Sequence, residues 1–150
     1  MKVRIVVLLV TLAICILFAP FAADPQQAAK IARIGVLAAS SREGVAPRVI
    51  DGFLEGLRDR GWIEGQNITI EWRWAEGKLD RFPSLAAELV GLNVSVIVVP
   101  NLVGTLAARK VTETIPIVIV VPDDPAQTGL VASLARPGGN ITGLTYTVGL

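Results

Sequence analysis

The 150-residue chain contains no histidine, one cysteine, one methionine and one tyrosine, and aromatics make up 5% of it. Without histidine it lacks the commonest general base and the commonest metal ligand at neutral pH. With one cysteine it cannot form an internal disulfide, so packing must hold the fold together. Neither charge dominates: 14 Lys and Arg stand against 13 Asp and Glu, a formal net charge of +1. No basic stripe is present, so nothing favours a nucleic-acid partner. No Gly-x-Gly-x-x-Gly follows an apolar strand, and no Gly-Lys-Ser/Thr loop occurs, so the usual phosphate cradles of dinucleotide and nucleoside triphosphate enzymes are missing. A serine nucleophile would need a neighbouring base, and none is evident. These absences argue against an enzyme and imply neither a cofactor nor a metal.

Apolar residues, by contrast, are plentiful, at 52% of the chain. Many lie in the almost unbroken run Ile5 to Phe18, which follows the basic start Met1-Lys2-Val3-Arg4 and precedes Pro20-Phe21-Ala22-Ala23. This order of basic, apolar and small residues is that of an export signal peptide over residues 1–23, with cleavage after Ala22 or Ala23. The site lacks the usual small residue at the −3 position, and an uncleaved membrane anchor is the alternative. Cys15 reads as a small hydrophobe within this helix, with lipidation as the other option, because Ile14 is bulky for a lipobox. Without Lys2 and Arg4 the remainder carries 12 basic and 13 acidic residues. Residues 24–30 read as a tether, and the membrane is expected to matter only through the leader.

From Ile31 onward the hydrophobic period alternates between two regimes. Ile31 to Ala38 is an apolar run interrupted only by Arg33, as expected of a strand covered on both faces. Val49 to Arg60 places Ile50, Phe53, Leu54 and Leu57 on one helical face, and Gly61 is positioned to end it in a left-handed cap. Asn67 to Trp74 alternates strictly, with Ile68, Ile70, Trp72 and Trp74 on one side, as in a half-exposed strand near a sheet edge. Trp72 and Trp74 read as sheet packing, with a ligand-stacking platform as the alternative. Ala75 to Lys78 is a turn. Pro83 suits a first helical turn, and Leu85, Ala86, Leu89 and Val90 carry that helix inward. A strand over Val94 to Val99, a helix over Val103 to Thr114 and a strand over Ile115 to Val121 follow. A helix over Pro125 to Ala135, a tight turn over Arg136 to Asn140 and a fifth strand from Ile141 to Tyr146 complete the series.

The order βαβαβαβαβ with right-handed crossovers predicts an α/β fold. Its core is a doubly wound parallel five-stranded sheet, in flavodoxin-like strand order, with helices on both faces. In such sheets ligands bind outside the carboxyl ends of the strands. Three turns meet there. Ser40 and Ser41 follow the first strand, and either offers a hydroxyl to a solute or caps the next helix. Asn101 and Thr105 follow the third strand, with the same two options for Asn101. Asp123 and Asp124 follow the fourth, either pairing with a ligand's ammonium group or capping a helix before Pro125. Donors opposite an acidic turn would suit a zwitterion such as an amino acid.

Several longer blocks resemble a known family. They are Gly52 to Ile68, Glu71-Trp72-Arg73-Trp74-Ala75-Glu76-Gly77, Leu85 to Val90, Thr114-Ile115-Pro116-Ile117-Val118, Asp124-Pro125 and Gly129 to Gly143. The chain is similar in these blocks to the substrate-binding proteins of ABC importers with a type 1 periplasmic-binding fold. The resemblance implies that residues 31–150 are the N-terminal lobe of a two-lobed solute receptor that closes around its ligand by a hinge. It implies a periplasmic location, an inner-membrane ABC permease as partner, a small-molecule solute, and ligand contacts from the same six residues. The usual Gly-Asp-Pro is Asp123-Asp124-Pro125 here, and Asn101 replaces a small residue. The sequence leaves two other roles open: a sensing lobe for a receptor kinase, and a truncated remnant that binds nothing.

Overall fold

The computed structural model describes residues 31–121, 129 and 138–145. The leader, the tether and the expected helix over Pro125 to Ala135 lie outside the described residues. Five strands, β1 (Ala32–Ala38), β2 (Ile68–Trp74), β3 (Val96–Val99), β4 (Ile117–Val121) and β5 (Ile141–Thr145), form one sheet in the order β2-β1-β3-β4-β5. Every pairing is parallel. This is the doubly wound order anticipated from the sequence, and β2 occupies an edge as its alternating pattern requires.

Among the described residues three α-helices cover the sheet: α1 (Pro47–Arg58), α2 (Phe82–Gly91) and α3 (Leu102–Val111). Because the chain steps outward from β1 to β2 and then reverses, right-handed crossovers put α1 on one face and the later helices on the other. On the α2 and α3 face, Leu37, Ile97, Val99, Ile117 and Ile119 pack against Phe82, Leu89 and Ala108 in a closed core. On the α1 face, Ile34, Val36, Ile68 and Ile70 meet Phe53, Leu54 and Leu57. Alternate residues of single strands therefore serve different layers.

Local chemistry sets the element ends. Helix α1 begins two residues before the apolar periodicity suggests, because Pro47 occupies its first turn, where a missing N–H costs no bond. It ends at Arg58, two residues short of the expected Arg60, but the expected cap at Gly61 forms. Gly61 adopts φ +81°, its N–H donates to Arg58 O at 2.9 Å, and the Trp62 N–H reaches back to Leu57 O at 2.9 Å, a Schellman closure. Helix α3 stops at Val111, short of the expected Thr114. Thr112 leaves helical geometry at φ −149°, and its hydroxyl accepts from the Thr114 and Ile115 N–H groups. A 3₁₀ turn over Leu79–Arg81, which the sequence does not announce, leads into α2. Among the described residues no helix is long and apolar enough to cross a membrane.

Candidate functional site

Because all five strands run parallel, the turns after β1 and β3 emerge at one sheet edge. The Asn101 amide links them directly, its Nδ2 donating to Leu37 O at 3.5 Å, a long contact between the ends of the two strands. Asp123 and Asp124, expected on the neighbouring turn, lie outside the described residues.

The β1 turn is compact. The Gly44 N–H is shared between Ser41 O at 3.1 Å and Ser41 Oγ at 3.2 Å, and the Val45 N–H donates to Arg42 O at 3.3 Å. Ser41 therefore closes its own turn. Neither serine caps α1, whose N-cap is Ala46 with no side-chain bond. The capping option for these serines is thus set aside. Ser40 and Ser41 are both half-buried at the rim.

The β3 turn resolves differently. Asn101 is the N-cap of α3, its Oδ1 accepting from the Gly104 N–H at 2.6 Å. Gly104 is required there. A Cβ at that position would stand 2.9 Å from both Asn101 Oδ1 and a Val99 methyl, and 3.0 Å from the Phe82 ring. Thr105 is fully buried, and its hydroxyl donates to Asn101 O at 2.7 Å. Its oxygen therefore braces the first turn of α3 from below, so the expected direct contact with solute is corrected to a supporting position. What the turn presents outward is the beginning of α3, where the Leu102 and Val103 amides have no acceptor within the helix. Such a terminus favours a carboxylate or other anion.

Beside this rim lies a recess that the sequence did not reveal, with a cavity volume of about 250 Å³. Its floor is the α1 face of the sheet: Val36 and Ala38 of β1, Trp72 and Trp74 of β2, Val98 and Pro100 at the end of β3, and Val120 of β4. Its roof is Val45 and the first turns of α1, with Val49, Ile50 and Phe53. The Trp72 and Trp74 rings lie parallel, 2° apart in plane with centroids at 5.2 Å, and Phe53 meets Trp72 edge-on at 6.0 Å. The period-2 alternation placed both tryptophans on one side, but not that α1 leaves space above them. Among the described residues no cluster of three or more His, Cys, Asp or Glu side chains could hold a metal ion.

Comparison with known proteins agrees with this architecture. The profile of a family described as ABC transporter substrate binding protein matches residues 33–148. A tyrosine-binding protein of Clostridioides difficile is 35% identical over 92 residues, which is 61% of this chain and 27% of that protein. Among solved structures, the ligand-free, open form of a Clostridium difficile substrate binding protein with adhesive properties superposes with a TM-score of 0.71. It shares 27% identity over 80% of this chain and 40% of that one. A Vibrio cholerae conserved domain protein gives 0.70, with 32% identity over 79% of this chain and 40% of its own. A Streptococcus pneumoniae ABC domain in complex with L-Trp gives 0.66, with 25% identity over 76% and 38%. The chain thus spans two fifths or less of the length of each of these relatives.

Proposed function

The chain belongs to the ABC transporter substrate binding protein family, and from that premise we propose that it is one lobe of an extracytoplasmic solute receptor. The lobe takes an amino acid at the carboxyl edge of its sheet and hands it to an ABC permease in the inner membrane. The observation that carries this reading is the meeting of two turns at that edge. The Ser40–Ser41 turn and the start of α3 stand side by side there, tied by the contact from Asn101 to Leu37. Hydroxyls and helix-start amides hold a carboxylate without reacting with it. Asp123 and Asp124 are the proposed counter-charge for the ammonium group. The named relatives, one a tyrosine-binding protein and one solved with L-Trp, support an amino acid as the solute class.

The segment Met1 to Ala23 is the proposed export signal, which places the receptor in the periplasm. N-terminal sequencing of the protein recovered from that compartment should begin at Ala23 or Asp24; recovery of intact Met1 chains from the cytosol contradicts the location. A single lobe offers half of a two-lobed cleft, so its affinity should be low, with a Kd on the order of 1 mM. Isothermal titration calorimetry of the 150-residue chain with L-tyrosine, L-tryptophan, L-leucine and L-glutamate tests the solute class. Saturable heat with at least one of them is expected, and no heat with any at millimolar concentration contradicts an amino-acid solute.

A further inference from the structure

We propose that Glu76 and Arg81 are positioning residues for the solute rim: the pair fixes the turn after β2, and that turn holds the Ser40–Ser41 turn in place. This rests on the reading of the rim as a solute site. Parallel pairing brings the turn after β2 to the same sheet edge as the turns after β1 and β3. It is bonded to the first of them. The Ala75 N–H donates to Ala38 O at 2.9 Å, and the Gly77 N–H donates to Ala39 O at 2.8 Å. Ala39 immediately precedes Ser40. The backbone that enters the serine turn is therefore anchored on the β2 turn.

The anchor depends on an uncommon backbone geometry. Glu76 adopts φ +56° and Gly77 φ +76°, two left-handed residues in succession. Among the described residues, Asn93 is the only other non-glycine residue at positive φ. Asparagine enters that region readily, whereas a glutamate there carries steric strain. Such strain persists only where surrounding contacts hold it, and it gathers at functional sites. The contact that holds Glu76 comes from Arg81, whose Nη1 donates to Glu76 Oε2 at 2.7 Å. Arg81 closes the 3₁₀ turn over Leu79–Arg81, where its N–H donates to Lys78 O at 3.1 Å and its carbonyl accepts from Ser84 Oγ at 2.9 Å. The β2 turn is thus clamped between Ala39 on one side and the start of α2 on the other.

Folding stability does not account for the pair. The Arg81 and Glu76 side chains are 37% and 56% exposed, and an ion pair that water reaches contributes little to folding. Glycine at position 76 would take the same backbone geometry without strain. What the glutamate adds is a carboxylate that ties the turn to Arg81 and so gives it one fixed direction.

Urea melts, amide hydrogen exchange and an L-tyrosine titration of the 150-residue chain test the assignment. Glu76→Gly removes the strain and the pair together. Its urea midpoint should equal or exceed the parent's. Exchange should nevertheless quicken at the Gly77 N–H and at the Gly44 N–H that closes the serine turn, and the Kd for L-tyrosine should rise about two- to fivefold. Arg81→Gln should reproduce both changes, and it remains informative should Glu76→Gly misfold. The exchanged pair, Glu76→Arg with Arg81→Glu, should recover most of the parent's affinity. If the parent binds L-tyrosine and every variant binds it equally well, the positioning role is overturned and the solute site stands. An affinity loss matched by a lower urea midpoint overturns the role as well, because the pair would then be an ordinary structural contact. If the parent binds no L-tyrosine while both single variants quicken exchange at Gly44, the pair positions the serine turn and the solute reading alone falls. Unchanged exchange at Gly44 in that case overturns both.

Discussion

The two faces of the sheet are made from neighbouring residues of the same strands, yet they are finished differently. On the α2 and α3 face, Leu37, Ile97, Val99, Ile117 and Ile119 are each exposed by 1% or less. On the α1 face, Val98, Val120, Trp72 and Trp74 are half-buried, and α1 itself has no fully buried residue. The closed face has the density of a protein interior, where deleting a few methylenes leaves a void that neighbours cannot fill. The open face keeps a void beside the polar rim. The contrast teaches that the closed face carries most of the stability, while the open face is less tightly constrained. Substitutions should sort accordingly.

The largest effect is expected where the closed face is densest. Phe82→Ala removes a fully buried ring that contacts both the sheet and α3, and should lower unfolding free energy by about 3–5 kcal/mol in urea melts. A loss below about 1 kcal/mol would show that this face is looser than described. Next comes Gly104→Ala. Its methyl would crowd Asn101 Oδ1, Val99 and Phe82, which costs about 1–3 kcal/mol by overpacking and disturbs the cap at the rim. Because the same methyl touches the rim, Gly104→Ala should also weaken solute binding; stability lost with binding unchanged would separate the rim from the core.

Smaller still is Asn101→Ala, which deletes the α3 cap and should cost about 1 kcal/mol. Asn101→Asp keeps the accepting oxygen and should recover most of that loss, whereas no recovery would assign the cost to the Nδ2 contact with Leu37 O. The smallest effect is expected on the open face. Val49→Thr changes an exposed helix position and should shift stability by no more than about 0.5 kcal/mol. A loss near that of Phe82→Ala would erase the distinction between the faces.

Much of this arrangement is legible in the amino-acid order. The switch from continuous apolar runs at Ile34 and Val96 to strict alternation over Ile68–Trp74 identifies inner strands and an edge strand, because buried and half-covered strands need different faces. Gly61 is legible because only glycine enters left-handed geometry cheaply. The convergence of the β1 and β3 turns follows from topology alone. Other features escape a one-dimensional reading. The start of α1 at Pro47 is hidden because proline reads as a break, and the end of α3 because Thr112 passes for one more helical residue. Asn101 and Thr105 sit one helical turn apart, and spacing alone cannot say that one caps the helix and the other is buried beneath it. The recess escapes entirely, since it depends on how far α1 stands off Trp72 and Trp74, a distance that periodicity does not encode.

The central claim is that the carboxyl edge of the sheet, with its polar turns, is where solute binds. The most direct measurement is a residue-resolved amide NMR titration of the 150-residue chain with L-tyrosine. The account predicts saturable shifts for Ser40 to Gly44 and for Leu102 to Thr105, all with one Kd. Shifts confined to the opposite edge, around Glu113, Thr114 and Asn140, would contradict it.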